Sequence, residues 1–505
     1  MLAKIFSGAL EGIEAKLIEV EVDVGRGIPK FFLVGLPDRE VQEAKDRVRT
    51  AIINSGYKLP KYRTTVNLAP AGVRKAGSAF DLPIALGILL ADGQLHYRPE
   101  RSLFAGELSL SGYLKPVNGA LALAKLASSL GCQNIYLPEA NAPEAGLIGT
   151  LKVFPVKSLK TLCRHLNGQN PISVYKKANH AVAKIESGKN SVDLADIRGQ
   201  ALAKRALEIA AAGGHNIIFN GPPGSGKTLL ARALISILPP PTPTERLEIT
   251  QIYSAAGLWT SDQLYGVGRP FRQPHHTTPA TAILGGGSHP RPGEISLAHR
   301  GVLFLDEFPE FSRTVIESLR QPLEDRFFTI TRTGGSLKLP AAFILVAAMN
   351  PCPCGLAMTA DNLCQCRLAQ LINYQKRISH AILDRIDLYV FVDRSASQPA
   401  KTAEKSVSVR DRVISARALQ TTRLADSVTT TNGEMTVQEL EEFCSLDPPT
   451  RHLLEQAKRH YHLSTRAEHK IIKISRTIAD LDQSPDIKIK HLLEAMQYRY
   501  RVHSS

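Results

Sequence analysis

The residues Gly221-Pro222-Pro223-Gly224-Ser225-Gly226-Lys227-Thr228 have the G-x-x-x-x-G-K-S/T spacing that cradles a chain of phosphates. Glycines let the backbone curl until its N–H groups point inward, and a helix starting at the end of the turn adds the positive end of its dipole. Lys227 can then reach the outer phosphates, and the Thr228 hydroxyl can take one position on Mg²⁺. The flanks supply what such a turn needs. Ile217-Ile218-Phe219-Asn220 is a short apolar run of the buried-strand kind, and Leu229-Leu230-Ala231-Arg232-Ala233-Leu234 continues as a helix. ATP and Mg²⁺ are the expected ligands.

Two further segments carry groups that could complete the chemistry. Gly301-Val302-Leu303-Phe304-Leu305-Asp306-Glu307 reads as an apolar strand ending in two carboxylates. Asp306 can hold Mg²⁺ through its waters, and Glu307 can accept a proton from the water that attacks the γ-phosphate. The apolar strand Phe343-Ile344-Leu345-Val346-Ala347-Ala348-Met349 ends at Asn350, whose amide can orient that water. Just beyond it, Cys352-Pro353-Cys354 and Cys364-Gln365-Cys366 form two C-x-C doublets. Four thiolates at loop spacing can complete a tetrahedral Zn²⁺ site, structural because no ligand position is left open. The alternative is four reduced thiols and no ion. The adjacent His275 and His276 could also suggest metal, but sequence neighbours ligate one ion poorly, and polar loop contacts are expected instead.

The phosphate turn, the acidic pair and Asn350 together resemble the AAA+ ATPases, with Walker A at 221–228, Walker B at 302–307 and a sensor-1 residue at Asn350. That resemblance implies arginines completing each site in a ring, because charge building on the transferring phosphoryl group needs a rigid planar donor. Ile382-Leu383-Asp384-Arg385-Ile386-Asp387 resembles the arginine-finger segment, so Arg385 is the candidate for action in trans; the alternative is a surface ion pair with Asp384 or Asp387. Ser464-Thr465-Arg466-Ala467 resembles sensor 2, which makes Arg466 the second candidate. The stretch from Arg269 through Arg272 and His276 to Thr278, the Gly285-Gly286-Gly287 run, the segment Gly293 to Arg300, and a hairpin over Phe328 to Leu339 with Gly334-Gly335 at its tip resemble the magnesium-chelatase and MCM-helicase branch. Hairpins of that branch line the ring's pore. Arg332 and Lys338, with Arg272, are the candidates for gripping a DNA backbone.

The bulk of the chain agrees with a soluble machine acting on a polyanion. Its 505 residues suffice for about three domains. Lys and Arg number 62 against 47 Asp and Glu, a formal net charge of +15. Such an excess favours a polyanionic partner, most simply nucleic acid, over the alternative of a solvated basic surface. The first residues meet Glu11 and Glu14 too early for a signal peptide. The longest apolar run, Leu82 to Ala91, is too short to span a bilayer. Seven cysteines, an odd number, fit a reducing cytoplasm rather than a disulfide framework. No membrane partner is expected.

The elements that must position these groups can be sketched in order. Leu17 to Val24 alternates as a half-buried strand, Gly25-Arg26-Gly27 turns the chain, and Lys30 to Val34 forms another strand. Asp38 can cap a helix running to about Ser55, with Val41, Ala44, Val48 and Ile52 on one face. Strands at Thr64–Leu68, Leu108–Leu110 and Asn134–Leu137 alternate with helices at Ala79–Leu90 and Ala120–Leu130, which sets the class as α/β or α+β. Residues 171–191 are polar and lysine-bearing, a linker. The motor core is expected over 192–395, opening with an alanine-rich helix to Ala212, and a helical C-terminal lid over 396–505. Cations outnumber acids from Lys458 onward, a basic face that is either solvated or in contact with DNA.

Within residues 1–170, the segments Gly106-Glu107-Leu108-Ser109-Leu110-Ser111-Gly112, Pro116-Val117-Asn118-Gly119-Ala120-Leu121 and Asn134-Ile135-Tyr136-Leu137-Pro138 resemble the peptidase domain of Lon-type proteases. Ser78 falls near that family's serine, but Leu121 stands where its lysine belongs, and a serine without a base is a poor nucleophile. A Lon-like fold that has lost its dyad is expected. With the Arg269–Thr278, Gly293–Phe311 and Asn350–Gly355 segments, nearly the whole chain resembles the ComM/YifB family of magnesium-chelatase-like proteins. That resemblance implies a hexameric DNA motor promoting branch migration when incoming single strands recombine during natural transformation, hence single-stranded or branched DNA and further copies of the chain as partners. Composition and spacing alone show only a basic, pore-bearing ATPase. The competing readings are a magnesium-chelatase motor, and an ATP-dependent protease or unfoldase, which Leu121 weakens.

Overall fold

The computed structural model describes residues 2–35, 38–75, 77–176, 192–260, 268–287, 291–332, 335–357, 364–393 and 404–500. Most of the expected linker (177–191), the expected boundary at 395/396 and the hairpin tip at Thr333-Gly334 lie outside the described residues.

The N-terminal part is a seven-stranded mixed sheet. Its spatial order is Phe31–Val34, Arg63–Ala69, Glu14–Gly25, Leu2–Glu11, Ser102–Phe104, Asn134–Pro138 and Lys152–Val156. The alternation read from Leu17 to Val24 is real. Ile18, Val20 and Val22 are buried, and Ile5 on the long first strand pairs directly with Val20. Helix Arg39–Asn54 starts where Asp38 accepts the Val41 N–H at 2.8 Å. The apolar helix Asp81–Ala91 is buried almost all round and shares a core with Ile5, Val20, Val66 and Leu68. Where a strand was expected over Leu108–Leu110, only Glu107–Leu108 pairs, with Leu114–Lys115. Ser109 instead turns the chain: its hydroxyl accepts the Tyr113 N–H, and Gly112 takes a left-handed φ of 82°.

One charge lies inside this unit. Asp81 is fully buried and accepts two guanidinium hydrogen bonds from Arg47, at 2.9 and 3.1 Å, as well as the Leu108 N–H. Burial pushes its carboxyl up to about 6, from an ordinary 3.8, against the pull of Arg47. A raised folded-state value means that ionising Asp81 costs stability as pH rises between those two values. Arg47→Ala would strand the charge and is expected to destabilise this unit by about 2–4 kcal/mol near neutral pH, less than a fully buried pair because Arg47 is partly exposed. The loss, read from thermal unfolding midpoints, should shrink as pH is lowered toward about 5 and Asp81 takes up a proton.

The second sheet is five-stranded with every pairing parallel. In spatial order its strands are Phe271–Arg272, Val302–Leu305, Ile344–Met349, Ile217–Asn220 and Leu388–Phe391. The strand that precedes the phosphate turn therefore lies between the one ending at Asn350 and the last. Helices Ala201–Gly213 and Lys227–Ile237 cover one face, and the C-terminal helices Ser406–Arg423, Val437–Phe443, Pro448–Tyr461, Thr465–Leu481 and Ile489–Gln497 join the same core. Ala206, Ile209, Leu234, Val413, Ile474 and Ile478 belong to one buried cluster. Strands Phe327–Arg332 and Gly335–Pro340 pair as an antiparallel hairpin just before Ile344–Met349.

The two sheets are joined through a small apolar seam. Ile13, at the turn after the first strand, packs with Ile252, Ala255, Leu297 and Leu339. The Gln251 side-chain amide donates to the Ile13 carbonyl at 2.7 Å. A Cβ on Gly12, whose φ is +67°, would fall 2.6 Å from Leu337 of the hairpin. The N-terminal sheet thus rests directly on that hairpin.

Candidate ATP site

Register places the site. Asn220 pairs with Met349 and Leu305 with Ala347, so three strands end side by side at one edge of the sheet. Ligands of open parallel sheets sit at such carboxyl ends. The turn leaving the first of these strands carries Gly224 and Gly226 at φ of 75° and 89°, where a side chain would be strained. At Gly221 a Cβ would come 2.1 Å from the Val392 carbonyl oxygen, so the turn can lie against the fifth strand only as glycine.

The functional groups converge on this edge. Lys227 Nζ donates to the Gly221 and Pro222 carbonyls at 2.6 and 2.9 Å and to Asn350 Oδ1 at 3.2 Å. Thr228 Oγ1 donates to Asp306 Oδ2 at 3.0 Å. Asp306 Oδ1 accepts the Glu307 N–H at 3.0 Å. Glu307 itself has a left-handed φ of 53°, which turns its side chain away from the strand line, half exposed, with His276 Nδ1 3.1 Å from its Oε2. The turn fits a phosphate chain on two further grounds. Helix Lys227–Ile237 has no side-chain cap, and the buried Ser225 hydroxyl has no partner among the described residues.

Three family models match the chain: magnesium chelatase, subunit ChlI, over residues 193–400; subunit ChlI of Mg-chelatase over 20–141; and magnesium chelatase, subunit ChlI C-terminal, over 403–499. Competence protein ComM of Haemophilus influenzae is 42% identical over 506 residues, covering 99% of this chain and 98% of that protein. The chain belongs to the ComM/YifB family. The YifB protein of Salmonella typhimurium is 41% identical over 503 residues, 99% of this chain and 97% of its own. The magnesium-chelatase 67 kDa subunit of Chlorobaculum parvum is 30% identical over 161 residues, 31% of this chain and 23% of that subunit. A mixed α/β chain with a parallel-sheet core and magnesium-chelatase-like AAA+ domains is what fold and family share. Among the described residues no helix is long and apolar enough to cross a membrane.

Seen within that family, the two arginine candidates lie away from the chain's own phosphate turn and close to each other. The Arg385 carbonyl accepts from Asn216, at the start of the strand whose far end carries the turn. Arg385 Nη2 and Arg466 Nη2 reach the two oxygens of one carboxylate, Glu324, at 2.7 and 2.5 Å. Neither Asp384 nor Asp387 takes Arg385 within ion-pair distance among the described residues. Arg272 is engaged: its guanidinium makes two hydrogen bonds to Glu294, at 2.6 and 2.7 Å. Lys338 is exposed on the hairpin with its ammonium 3.6 Å from the Phe327 ring centre. Arg332 closes the strand opposite Gly335.

The four cysteines come together. Cys352, Cys354, Cys364 and Cys366 hold their sulfurs within 4.8 Å of one another. Hydrogen bonds from the Leu356 backbone and the Cys352 thiol pull the exposed Cys354 thiol down to about 6. In the N-terminal unit, Leu121 is fully buried and its N–H is taken by Glu144, while the Ser78 hydroxyl donates to Glu107. The nearby Lys75 is buried with its amine on the Pro70 carbonyl.

The polar loop contacts expected of the paired histidines are present: His275 Nδ1 lies 2.8 Å from Thr277 Oγ1, and His276 meets Glu307. That Glu307 is the partner, that Glu324 joins the two arginines and that Gly355 lies on Pro223 have no signature in the sequence, because each partner is distant along the chain.

Proposed function

We propose that the chain is an ATP-driven, ring-forming DNA motor that moves strands or junctions during recombination of incoming DNA. The observation that carries the ATPase half is the convergence of Lys227, Thr228, Asp306 and Asn350 at one sheet edge, with Glu307 beside them. Lys227 and the turn's N–H groups bind and orient the triphosphate, Asn350 positions the attacking water, and Glu307 accepts its proton. Thr228 and Asp306 would hold Mg²⁺, which would supply positive charge against the phosphates. Arg385, with Arg466 beside it, serves the site of a neighbouring copy, a hexamer being the assembly proposed. A structural Zn²⁺ on the four cysteines belongs to the same reading.

The DNA half is supported by the net charge of +15, the exposed Lys338 on the hairpin, and the name of the relative ComM, a competence protein. We take residues 1–170 as a Lon-like unit without peptidase chemistry, since Leu121 offers no base, 192–395 as the core and 396–505 as a helical lid. Residues 171–191 are the linker between the first two. ATP turnover measured with and without a single-stranded oligonucleotide tests the reading. The rate is expected to rise several-fold with DNA in the wild type and far less in Lys338→Ala; a rate indifferent to DNA contradicts it. The ChlI profiles favour one second reading, a chelatase motor. ATP-dependent insertion of Mg²⁺ into a porphyrin, with no response to DNA, would select it.

A further inference from the structure

We propose that Cys352, Cys354, Cys364 and Cys366 hold one Zn²⁺ as a brace for the ATP site, so that losing the ion slows hydrolysis far more than it weakens nucleotide binding. The spacing fits one ion. Cys354 and Cys352 each lie 3.7 Å from Cys364, and 3.2 Å from one another. Four thiolates at about 2.3 Å from a tetrahedral zinc stand roughly 3.8 Å apart. Thiolates gripping a polynuclear iron–sulfur cluster bind different irons and cannot all sit so close. The Ala357 N–H also points at Cys352 Sγ, at 3.2 Å, which helps hold that buried sulfur as a charged ligand.

What makes the ion a brace is where the loop lies. Cys352 comes two residues after Asn350, whose side chain meets Lys227 Nζ. The loop then tightens, with the Gly355 N–H on the Cys352 carbonyl at 2.9 Å. Gly355 has φ of +79°, and a Cβ there would fall 2.6 Å from Cδ of Pro223, so its backbone lies flat against the phosphate turn. On the other side, Cys366 leads into helix Leu368–Gln375, whose buried Tyr374 meets the Asn350 backbone. One ion would therefore pin the exit of the Asn350 strand to that helix and against Pro223. The phosphate turn is also held by its own strand and helix in the main core, independent of the cysteines. Loosening the brace should displace Asn350 first. A reacting group displaced by about 1 Å costs on the order of a hundred-fold in rate.

The inference uses the ATPase reading for its rate measurement, whereas metal content stands apart from it. Full-length protein is analysed for metal, and kcat and KM for ATP are measured. The variants are Cys354→Ser and Cys366→Ser, with Cys366→His as the conservative exchange and Cys444→Ser, remote and buried, as control. About one zinc per chain is expected in the wild type, and little in the serine variants. Their kcat should fall at least about ten-fold while KM stays within about three-fold. Cys366→His, which leaves a three-cysteine, one-histidine set, should recover both zinc and rate. Should the serine variants not fold, stripping zinc from wild-type protein with a chelator and adding Zn²⁺ back must lower and restore kcat. Wild-type protein with no metal, or with iron instead, overturns the proposal, as does a zinc-free variant that turns over normally. Zinc found in a chain that hydrolyses no ATP under any condition overturns the ATPase reading instead.

Discussion

Glu307→Gln is expected to bind ATP as tightly as the wild type and to hydrolyse it at least about a hundred-fold more slowly, since a positioned general base contributes roughly 10²–10⁴. The exchange keeps side-chain shape and the Glu307 N–H bond to Asp306, which belongs to the backbone. It removes only the capacity to accept a proton. Lys227 keeps its bonds to the Gly221 and Pro222 carbonyls and Thr228 its bond to Asp306, so the nucleotide cradle should survive. Fluorescent-nucleotide titration beside steady-state phosphate release separates the two effects. Hydrolysis within about three-fold of the wild type would move the base elsewhere, and His276, already 3.1 Å from Glu307, would be the first place to look.

Arg385→Ala is expected to lose about a thousand-fold in turnover, the scale of an arginine finger, and to regain activity when mixed with Lys227→Ala. Arg385 is tied to Asn216 at the start of a four-residue strand and Lys227 lies beyond its end. At about 3.3 Å per residue the strand alone separates them by roughly 13 Å. The arginine cannot serve its own site, and Glu324 holds it together with Arg466 as one cationic cluster at that end. In a ring each copy gives its phosphate turn to one neighbour and its arginine to the other. Random mixing of equal amounts then rebuilds about one competent interface in four, so about a quarter of wild-type turnover should return. No recovery at any ratio would show that Arg385 does not act across an interface.

What could be read from the sequence was what is local. The phosphate turn, the acidic strand end and the strand before Asn350 each put their chemistry in a few contiguous residues, and register then brought them together. Asp38 was legible as a cap because capping spans only three residues. The alternation at Ile18, Val20 and Val22 was legible because one face is buried and the other wet. The first strand, Leu2–Glu11, was not: Ser7 is buried amid it, so polar and apolar residues do not alternate by face. The C-terminal helices were legible as helices from their period, but a helical period reports one buried stripe and not what covers it. Their stripe packs with Ala206 and Leu234 beside the parallel sheet. Glu324 was illegible because its two partners are 61 and 142 residues away, and nothing in a lone surface glutamate marks it.

The most direct test of the whole account is strand exchange on a labelled four-way DNA junction, followed with ATP, without ATP and with Glu307→Gln. Junction movement that requires ATP and disappears in Glu307→Gln, while DNA binding persists, is the predicted result. Junctions left unmoved by a wild-type chain that is hydrolysing ATP, or moved equally well by Glu307→Gln, would contradict it.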